Sequence, residues 1–440
     1  MRKVSVLIVL SLVIALLAAC GDQPSGGEQS SKDDKSITVL VEGGSPAYTV
    51  ATETKEEFED LTGYEVNIES VPYVGVYDRL RTEMSSQTGS FDVATIDIIW
   101  FPAIYQSLEP INELITDEIE NDLFPGLLDA TTMDEDSFAL PVWTNSKILL
   151  YREDLFADEE NKELFAQKYG YELAPPTSWQ EYRDVAKFFT QDTNGDGSID
   201  LYGTSVFGAN SGDSVASWLD HVAQAGAESF IIDESNHVIV NDKAHVEALE
   251  FLKSIVHEDE SVPVGVLETA SAETSELFYN GKLAMMLAWG HFYVPANDPK
   301  TSKVAGSVGA APMIGGNAGI GVVPGPWYQV IPSSSKKKDI AKEYLQFMYE
   351  KNELYTEALG VASRQSVFNK FGEGKKFDHL NALSTTLNAP QTTNRPSVPQ
   401  WQQIESEALV PAVQRTLSGD TSPQEALDEA KNIIERILNN

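Results

Sequence analysis

The sequence predicts an α/β fold with a mostly parallel sheet, and three observations near its start support this. A β-rich run over residues 37–41 precedes a helical pattern over residues 54–61, and an alternating strand pattern follows over residues 64–68. A second apolar helical face over residues 76–84 leads into an apolar strand over residues 91–96. Strands that alternate with helices in this way form parallel sheets that helices cover on both faces.

Local signals mark where these first elements begin and end. Thr54 with Glu57 predicts a capping box at the start of the first helix, and Gly63 stands where a helix C-cap belongs. In open α/β sheets, ligands bind beyond the carboxyl ends of the strands. Those ends carry Glu42 and the segment Asp97–Trp100, so we expect ligand contacts there.

Two later helices are marked in the same way. Ser178 and Glu181 form a predicted capping box ahead of an apolar stripe. Near the carboxyl terminus, Ser422 and Glu425 repeat the pattern with Pro423 at the first helical position. No internal repeat and no long heptad pattern is visible, so the sequence predicts a large globular protein.

The amino terminus has the features of a secretory signal of the lipoprotein type. Arg2 and Lys3 precede an apolar run over residues 4–17, and small residues stand just before Cys20. That run is too short to span a bilayer stably. We therefore predict that residues 1–19 are a signal peptide that is removed. We also predict that Cys20 is lipidated and anchors the protein to the outer face of the cell membrane.

The segment that follows, residues 20–36, is rich in Gly, Ser and charge and predicts a flexible stalk. Cys20 is the only cysteine in the chain, so no intrachain disulfide can form. No later stretch approaches 18 consecutive apolar residues, which predicts no membrane span after the signal.

The chain is strongly acidic, with 31 Lys and Arg against 67 Asp and Glu and a formal net charge of −36. Such a field repels phosphate backbones and anionic headgroups, so the sequence argues against nucleic acid as a partner and against electrostatic membrane binding. Solubility and adaptation to an alkaline or salty exterior both account for the charge, and the sequence does not separate them.

Residues 192–203 have the spacing of an EF-hand calcium loop. Oxygen-bearing side chains stand at alternating positions: Asp192, Asn194, Asp196, Ser198 and Asp200. Gly197 takes the position of the sharp turn, whereas Gly203 stands where the bidentate Glu belongs. We expect a structural Ca²⁺ that holds a surface loop, and an ordinary Asp/Gly turn is the alternative.

A series of segments resembles the extracellular solute-binding proteins of ABC importers, in the carbohydrate-binding branch that includes maltodextrin-binding protein. The resemblance runs from about residue 37 to residue 438 in the family's order. The segments are EEFEDLTGYEVNIESVPY, SFDVATIDIIWFPAIYQSLEPINEL, ALPVWTNSKILLYREDLF, PPTSWQEYRDVAKFF, LFYNGKLAMMLAWGHF, VIPSSSKKKDIAKEYLQFM and LSGDTSPQEALDEAKNIIERIL.

This resemblance implies a two-lobed, periplasmic-binding-protein-like fold with a mostly parallel sheet in each lobe and a hinge between them. The first lobe would comprise residues 37–142 and 318–355, and the second residues 143–317 and 356–440. It further implies a carbohydrate held in the cleft and docking of the closed form on ABC permease subunits in the membrane. The function would be capture and not catalysis.

A carbohydrate presents hydroxyl groups that need directional hydrogen bonds and ring faces that stack on aromatic side chains. The positions that resemble the family's cleft residues are Glu42, Ser45, Asp97, Trp100, Trp143, Asn145, Trp289 and His291. Tyr328 is added because it offers a stacking face with a hydroxyl, as Tyr73 and Tyr293 also do. Trp327 and Trp401 are ambiguous between ligand contact and core packing.

Two alternatives stay open at the level of sequence. A secreted glycoside hydrolase needs only two suitably placed acids, and an acid-rich chain always contains candidates. No G-x-S-x-G, H-E-x-x-H or P-loop pattern is present, so motifs for other catalytic classes are absent from the sequence. A non-sugar solute such as a polyamine is the second alternative, because the acid content suits a cationic ligand.

Overall fold

The fold is described from a computed structural model that covers residues 35–233 and 235–439. The predicted signal peptide, Cys20 and nearly all of the predicted stalk lie outside these residues. From Ser36 onward the described residues form one compact unit. None of its helices is both long and apolar enough to cross a membrane.

The larger sheet has five strands in the order β2-β1-β3-β12-β6. β1 pairs in parallel with β2 and β3, whereas β12 runs antiparallel to both β3 and β6. β6 therefore points the same way as β1, β2 and β3. The strands of this sheet are β1 Ser36–Glu42, β2 Glu65–Val71, β3 Val93–Asp97, β6 Ala139–Trp143 and β12 Trp327–Val330.

The second sheet has three strands in the order β8-β7-β9, and β7 runs antiparallel to both neighbours. The expectation of a mostly parallel sheet in each lobe is thus wrong in this detail. The strands are β7 Lys147–Arg152, β8 Met285–Trp289 and β9 Val308–Ala311. Two short hairpins complete the described strands: β4 Thr132–Met133 with β5 Asp136–Ser137, and β10 Gly315–Gly316 with β11 Gly319–Ile320.

The helices lie between these strands and after them. In the first 260 residues they are α1 Pro46–Thr62, α2 Tyr73–Ser86, α3 Phe101–Ile104, α4 Asp117–Asp122, α5 Glu153–Ala157, α6 Glu159–Tyr169, α7 Trp179–Phe189, α8 Gly212–Ala225 and α9 Lys243–His257. Beyond them are α10 Ser271–Tyr279, α11 Tyr293–Ala296, α12 Lys338–Glu350, α13 Asn352–Leu359, α14 Gln365–Phe371, α15 His379–Leu387, α16 Trp401–Ile404, α17 Val410–Leu417 and α18 Pro423–Leu438.

Helix α1 begins eight residues earlier than the sequence predicts. Ser45 is its N-cap, since the Ser45 hydroxyl accepts the Tyr48 N–H at 3.2 Å, and Pro46 occupies the first position. Thr54 is buried inside the helix and its hydroxyl donates to the Val50 carbonyl at 2.7 Å, so the predicted capping box at Thr54 is wrong. The C-cap prediction is confirmed, because Gly63 is left-handed with φ 72°.

The two later helix starts agree with the sequence. The Ser178 hydroxyl accepts the Glu181 N–H at the start of α7. At α18, Ser422 and Glu425 form both halves of a capping box, with Pro423 at the first position. Such caps satisfy N–H groups that have no partner inside the helix, which fixes where each helix begins.

Two chain segments connect the sheets. Residues 144–146 pass from β6 to β7, and residues 321–326 lead into β12. The Gly325 N–H donates to the Asn145 carbonyl at 2.8 Å, so the two segments are hydrogen-bonded to each other. The strands of the two sheets come from the ranges expected for the two lobes, to within one residue at Ser36 and at Trp143. The lobe boundaries themselves stay a prediction.

Candidate ligand-binding site

The polar and aromatic side chains of the first sheet meet at one edge. Glu42, Asp97 and Trp143 are the last residues of β1, β3 and β6, and Trp327 is the first residue of the antiparallel β12. In the sheet register, Trp327 pairs with both Asp97 and Trp143. The reversed direction of β12 therefore brings the start of one strand to the carboxyl ends of three others.

A cavity of about 500 Å³ opens at this edge and extends toward the second sheet. Its volume lies within the range of small-molecule pockets in proteins. The lining residues are Glu42, Ser45, Pro46, Tyr73, Asp97, Ile99, Trp143, Asn145, Ser211, Gly212, Asp213, Ala216, Trp289, His291, Gly325, Trp327, Leu359, Arg395, Gln402 and Glu405.

The second sheet contributes a tryptophan above a buried ion pair. Lys147, the first residue of β7, pairs in register with Trp289 at the end of β8. The Lys147 ammonium lies 4.2 Å from the centroid of the Trp289 ring and 2.9 Å from Asp220 Oδ2. Both charged groups are almost fully buried, so Asp220 balances the charge of Lys147. The Trp289 ring is held in place by this contact.

His291 and Asn145 form a neutral pair on the same side of the cavity. The Asn145 amide nitrogen lies 2.6 Å from His291 Nδ1. Burial lowers the pKa of His291 to about 4, with a further contribution from His379, so the imidazole is neutral and Nδ1 accepts this hydrogen bond. Asn145 Oδ1 is buried without a hydrogen-bond partner among the described residues, as are Ser211 Oγ and Gln402 Nε2 of the same lining.

The amino terminus of α8 approaches the cavity with an acid and a glycine. Asp213 Oδ1 accepts the Trp289 indole N–H at 3.3 Å, and Asp213 Oδ2 accepts the Ser271 hydroxyl at 2.6 Å. A Cβ at Gly212 would lie 3.1 Å from a Glu405 carboxylate oxygen. The absence of a side chain at Gly212 therefore lets α8 pack closely against Glu405.

Arg395 is the single cationic side chain of the cavity lining. Its Nε donates to the Pro324 carbonyl at 3.2 Å, and its guanidinium carbon lies 5.8 Å from the Trp289 ring centroid. A Cβ at Gly325 would come within 3.1 Å of Arg395 Nη2 and 3.2 Å of the Trp289 ring. The absence of a side chain at Gly325 therefore allows the Arg395 guanidinium and the Trp289 ring to pack against residues 321–326.

Tyr73, Trp143 and Trp327 form an aromatic wall at the edge of the first sheet. Trp143 and Trp327 are stacked with ring centroids 5.1 Å apart and 17° between planes, and Tyr73 lies 6.0 Å from Trp327. The Tyr73 hydroxyl donates to Asp97 Oδ2 at 3.1 Å. Trp289, at the end of β8 in the second sheet, adds a fourth ring to the cavity lining. Aromatic faces beside hydrogen-bonding side chains suit a ligand with both apolar faces and polar edges.

Three carboxyl groups of the lining have raised pKa values. Burial raises the pKa of Asp97, and the Arg395 charge opposes this only in part. Burial and the charge of Asp97 raise the pKa of Glu42. Burial raises the pKa of Glu405 to about 7, with Arg395 acting against the increase and Asp97 and Asp213 adding to it. The acids are thus close enough to disfavour one another's ionisation.

The structure gathers most of the predicted contact residues around this cavity. Those that line it are Glu42, Ser45, Asp97, Trp143, Asn145, Trp289 and His291. Trp100 and Tyr328 do not line it, which corrects their predicted placement. Trp100 is 1% exposed and packs beneath Tyr73, with ring centroids 4.8 Å apart. Tyr328 is fully buried and its hydroxyl donates to the Leu127 carbonyl at 2.8 Å.

Several lining residues were not among the predicted contacts or were left undecided. Tyr73 and Trp327 were undecided, and the structure places both on the lining. Asp213, Arg395 and Glu405 were missed. The sequence could have indicated Asp213, because Ser211 and Gly212 before it mark the start of a helix. Arg395 lies in an irregular stretch between α15 and α16, where no periodic pattern indicates which side chain faces a cavity.

The predicted calcium loop forms a tight turn on the surface. Asp192 Oδ1 accepts the Gly195 N–H at 2.7 Å, and Asp192 Oδ2 accepts the Gly197 N–H at 2.7 Å. Asp200 accepts the Thr193 N–H and the Asn194 amide. Within the described residues, no group of three or more Asp, Glu, His or Cys side chains is arranged to hold a metal ion. Calcium binding by this loop stays a prediction.

A second cavity of about 480 Å³ lies on the outer surface between α7 and α9. Trp179, stacked on Phe251 with centroids 4.6 Å apart, forms its apolar part. The Trp179 indole N–H donates to Gln224 Oε1 at 2.6 Å. Glu247 and Glu250 are among its acidic lining residues.

Two sheets joined by crossover segments, with a polar and aromatic cavity between their edges, define the class of two-lobed solute-binding proteins. The chain belongs to the family of bacterial extracellular solute-binding proteins, whose family model matches residues 39–353. This membership places the protein among extracellular binding proteins.

Relatives and solved structures agree with this family. The chain is 22% identical to a probable ABC transporter-binding protein of Deinococcus radiodurans, over 98% of this chain and 97% of the relative. It is 21% identical to the galactooligosaccharide-binding protein of Bacillus subtilis, over 98% of this chain and 96% of the relative. The structure of maltose-bound MalE3 of T. maritima superposes with a TM-score of 0.74 at 23% identity, covering 91% of this chain and 99% of that chain. The fold is therefore that of a two-lobed binding protein.

Proposed function

We propose that this protein is the substrate-binding component of an ABC sugar importer and captures a carbohydrate in the cavity between the two sheets. The observation that carries the proposal is the combination of side chains in one cavity of about 500 Å³. The rings of Tyr73, Trp143, Trp289 and Trp327 offer stacking faces, and carboxylates, amides and a guanidinium offer hydrogen bonds. A polyhydroxylated ring needs both.

The polar atoms of the lining support a ligand with many hydroxyl groups. Asn145 Oδ1 and Ser211 Oγ are buried acceptors without partners among the described residues, and Gln402 Nε2 is a buried donor in the same state. A buried polar atom without a partner costs free energy, which a ligand hydroxyl recovers by forming the hydrogen bond. Hydroxyl groups act as donor and acceptor at once, so they suit this mixed set.

The names of relatives support the importer assignment. The Deinococcus radiodurans relative is named as a probable ABC transporter-binding protein, and the Bacillus subtilis relative as a galactooligosaccharide-binding protein. Both align over nearly the whole chain. We infer that the closed, ligand-bound form docks on membrane permease subunits, as expected for a binding component of such an importer.

A thermal-shift screen of the full-length chain tests the proposal. The screen uses neutral monosaccharides, disaccharides, oligosaccharides and polyols, because a ligand that binds only the folded state raises the melting temperature. We expect at least one carbohydrate to raise it by several degrees, corresponding to about 3 kcal/mol at a ligand concentration about 100 times Kd. No shift with any carbohydrate, together with a shift for another solute class, would overturn the sugar assignment.

Catalysis is the competing function, since the cavity lining contains four carboxyl groups. The same carbohydrate incubated with the protein should be recovered unmodified. Reducing ends that accumulate with time would instead indicate a glycoside hydrolase.

We further propose that Cys20 carries a lipid anchor after removal of residues 1–19. The apolar run and the small residues before Cys20 support this. Cys20→Ala should release the protein from the membrane fraction without altering carbohydrate affinity, since the cavity residues are far along the chain from this position. Unchanged membrane fractionation of Cys20→Ala contradicts the anchor.

A further inference from the structure

The cavity lining carries an excess of negative charge. Four carboxyl groups line it, those of Glu42, Asp97, Asp213 and Glu405, against the one guanidinium of Arg395. Full ionisation therefore leaves a formal charge of −3. Lys147 does not offset this excess, because Asp220 already balances its charge at 2.9 Å beneath the Trp289 ring.

Two of these carboxyl groups have no hydrogen-bond or ion-pair partner among the described residues. Asp213 accepts hydrogen bonds from Trp289 and Ser271, and Asp97 accepts them from the Tyr73 hydroxyl and the Ile99 N–H. Within the described part of the chain, the carboxyl groups of Glu42 and Glu405 neither accept a hydrogen bond nor form an ion pair. Acceptors that line a cavity without a protein partner are available to a ligand.

Asp97 connects these two free acids electrostatically. Its charge raises the pKa of Glu42 after burial, and it also contributes to the raised pKa of Glu405. Glu42 follows β1 in the first sheet, whereas Glu405 follows α16 in the carboxyl-terminal part of the chain. Acids that approach one another in a partly dry cavity are stabilised by a proton or by a cation between them.

The aromatic wall also suits a cation. Tyr73, Trp143 and Trp327 lie beside Asp97, and the electron-rich faces of such rings attract ammonium groups. Trp289 already holds cations in this way, with Lys147 at 4.2 Å and Arg395 at 5.8 Å from its centroid. The net charge of −36 adds a general attraction for cationic solutes.

We propose that the carbohydrate taken by this cavity carries a protonated amine, which is held by Glu42, Asp97 and Glu405. This inference rests on the proposed function, because it specifies the chemical class of the same ligand. An ammonium group has three N–H donors and no acceptor, so it matches three carboxyl acceptors. The aromatic wall would stack the sugar ring while the acids hold the amine. Arg395 lies on the same lining and would donate to ring hydroxyls.

Isothermal titration calorimetry with matched sugars tests this inference on the full-length chain. Each set contains a neutral sugar, its amino form and its N-acetyl form: glucose, glucosamine and N-acetylglucosamine, the corresponding galactose and mannose sets, and the disaccharides cellobiose, glucosaminyl-glucosamine and diacetylchitobiose. Titrations run at about pH 7, where simple primary amines are mostly protonated. The N-acetyl form keeps the nitrogen but removes its charge.

The expected result is that one amino sugar binds about tenfold or more tightly than its neutral and N-acetyl counterparts, in line with a desolvated cation beside aromatic rings and acids. Glu42→Gln and Glu405→Gln should each reduce that preference, because they remove a charge but keep the shape. Glu250→Gln is the matched control, since this exposed acid lies on the outer surface cavity.

Three outcomes would contradict the inference, and they can be told apart. A neutral or N-acetyl sugar that binds as tightly as its amino form overturns the inference alone and leaves the proposed function in place. Binding of putrescine or spermidine with no binding of any sugar overturns the proposed function as well. An amino-sugar preference that persists in both Gln variants would contradict the assignment of the amine to Glu42 and Glu405.

Discussion

Two contacts fix the position of Trp289 within the cavity. Its ring lies 4.2 Å from the Lys147 ammonium, and its indole N–H donates to Asp213 at 3.3 Å. We expect Trp289→Ala to weaken ligand binding about tenfold or more, which corresponds to about 1.4 kcal/mol of lost stacking. Titration calorimetry of the wild type and the variant with the same carbohydrate measures the change.

Trp289→Phe is the matched control for that prediction. Phenylalanine keeps a stacking face but loses the hydrogen bond to Asp213, so its affinity should fall between those of the wild type and Trp289→Ala. Equal affinity in all three proteins would show that this ring does not contact the ligand.

Glu405 makes the stability of the ligand-free protein depend on pH. Its folded pKa of about 7 lies above the ordinary value of 4.5, mainly because of burial. The folded state therefore holds the proton more tightly than the unfolded state, so this group's contribution is most favourable below pH 4.5 and is lost as the pH rises through about 7. The charged or titratable residues that share the cavity with it are Glu42, Tyr73, Asp97, Asp213, His291 and Arg395.

The comparison of Glu405→Gln with the wild type isolates this effect. The melting temperature of the variant relative to the wild type should rise between about pH 5 and about pH 8, because only the wild type must ionise a buried acid. Buried histidines with lowered pKa values act in the opposite direction in both proteins, so only the difference is informative: His221, His245, His291 and His379. A difference that stays constant with pH contradicts the assignment.

At the scale of single residues, the sequence was informative where strands end and uninformative where loops fold back. Glu42 and Asp97 follow recognisable strands, so their position at the sheet edge was predictable. Trp327 and Tyr328 are neighbours on β12, and adjacent side chains on a strand point to opposite faces. The sequence alone did not determine which of the two faces the cavity. The position of the Arg395 side chain depends on its hydrogen bond to the Pro324 carbonyl, 71 residues away along the chain, so no local pattern predicts it.

At the scale of elements, the starts of α7 and α18 were predictable, whereas the start of α1 and the strand directions were not. Ser422 with Pro423 and Glu425 defines the start of α18 through local contacts alone. The antiparallel direction of β12, in contrast, depends on pairing with β3 and β6, which lie some 180 residues or more earlier in the chain. Local patterns identify a strand but do not specify its neighbours, so the antiparallel second sheet was also missed.

The surface loop over residues 192–200 gives a prediction at the same scale. If calcium binds there, its oxygens would be supplied by Asp192, Asn194, Asp196, Ser198 and Asp200, because hard oxygen ligands suit this ion. We expect added Ca²⁺ to raise the melting temperature and EDTA to lower it, since bound metal stabilises only the folded state. Differential scanning fluorimetry measures both.

Asp196→Asn with Asp200→Asn should abolish the calcium response while leaving carbohydrate affinity unchanged, because the loop is separate from the cavity lining. Glu250→Gln is a matched control elsewhere on the acidic surface. An identical melting temperature of the wild type with Ca²⁺ and with EDTA contradicts the calcium prediction.

At the scale of the whole molecule, the two-lobed architecture was predictable from the ordered resemblance of the segments. The full lining of the cavity was not, because the residues that complete it come from distant parts of the chain. Asp97, Trp143 and Trp327 meet only after β12 pairs with β3 and β6. Glu405 and Arg395 enter the same cavity from the carboxyl-terminal region. Such long-range contacts leave no periodic signal in the sequence.

The central claim is that a carbohydrate binds between the two sheets and not on the outer surface cavity. Titration calorimetry with the carbohydrate from the thermal-shift screen tests it, using the wild type, Asp97→Asn in the cavity between the sheets and Trp179→Phe in the surface cavity. We expect Kd to rise about tenfold in Asp97→Asn, since hydrogen bonds to charged groups contribute about 1.5–3 kcal/mol, and to stay unchanged in Trp179→Phe. Weaker carbohydrate binding by Trp179→Phe, together with unchanged binding by Asp97→Asn, would contradict the account.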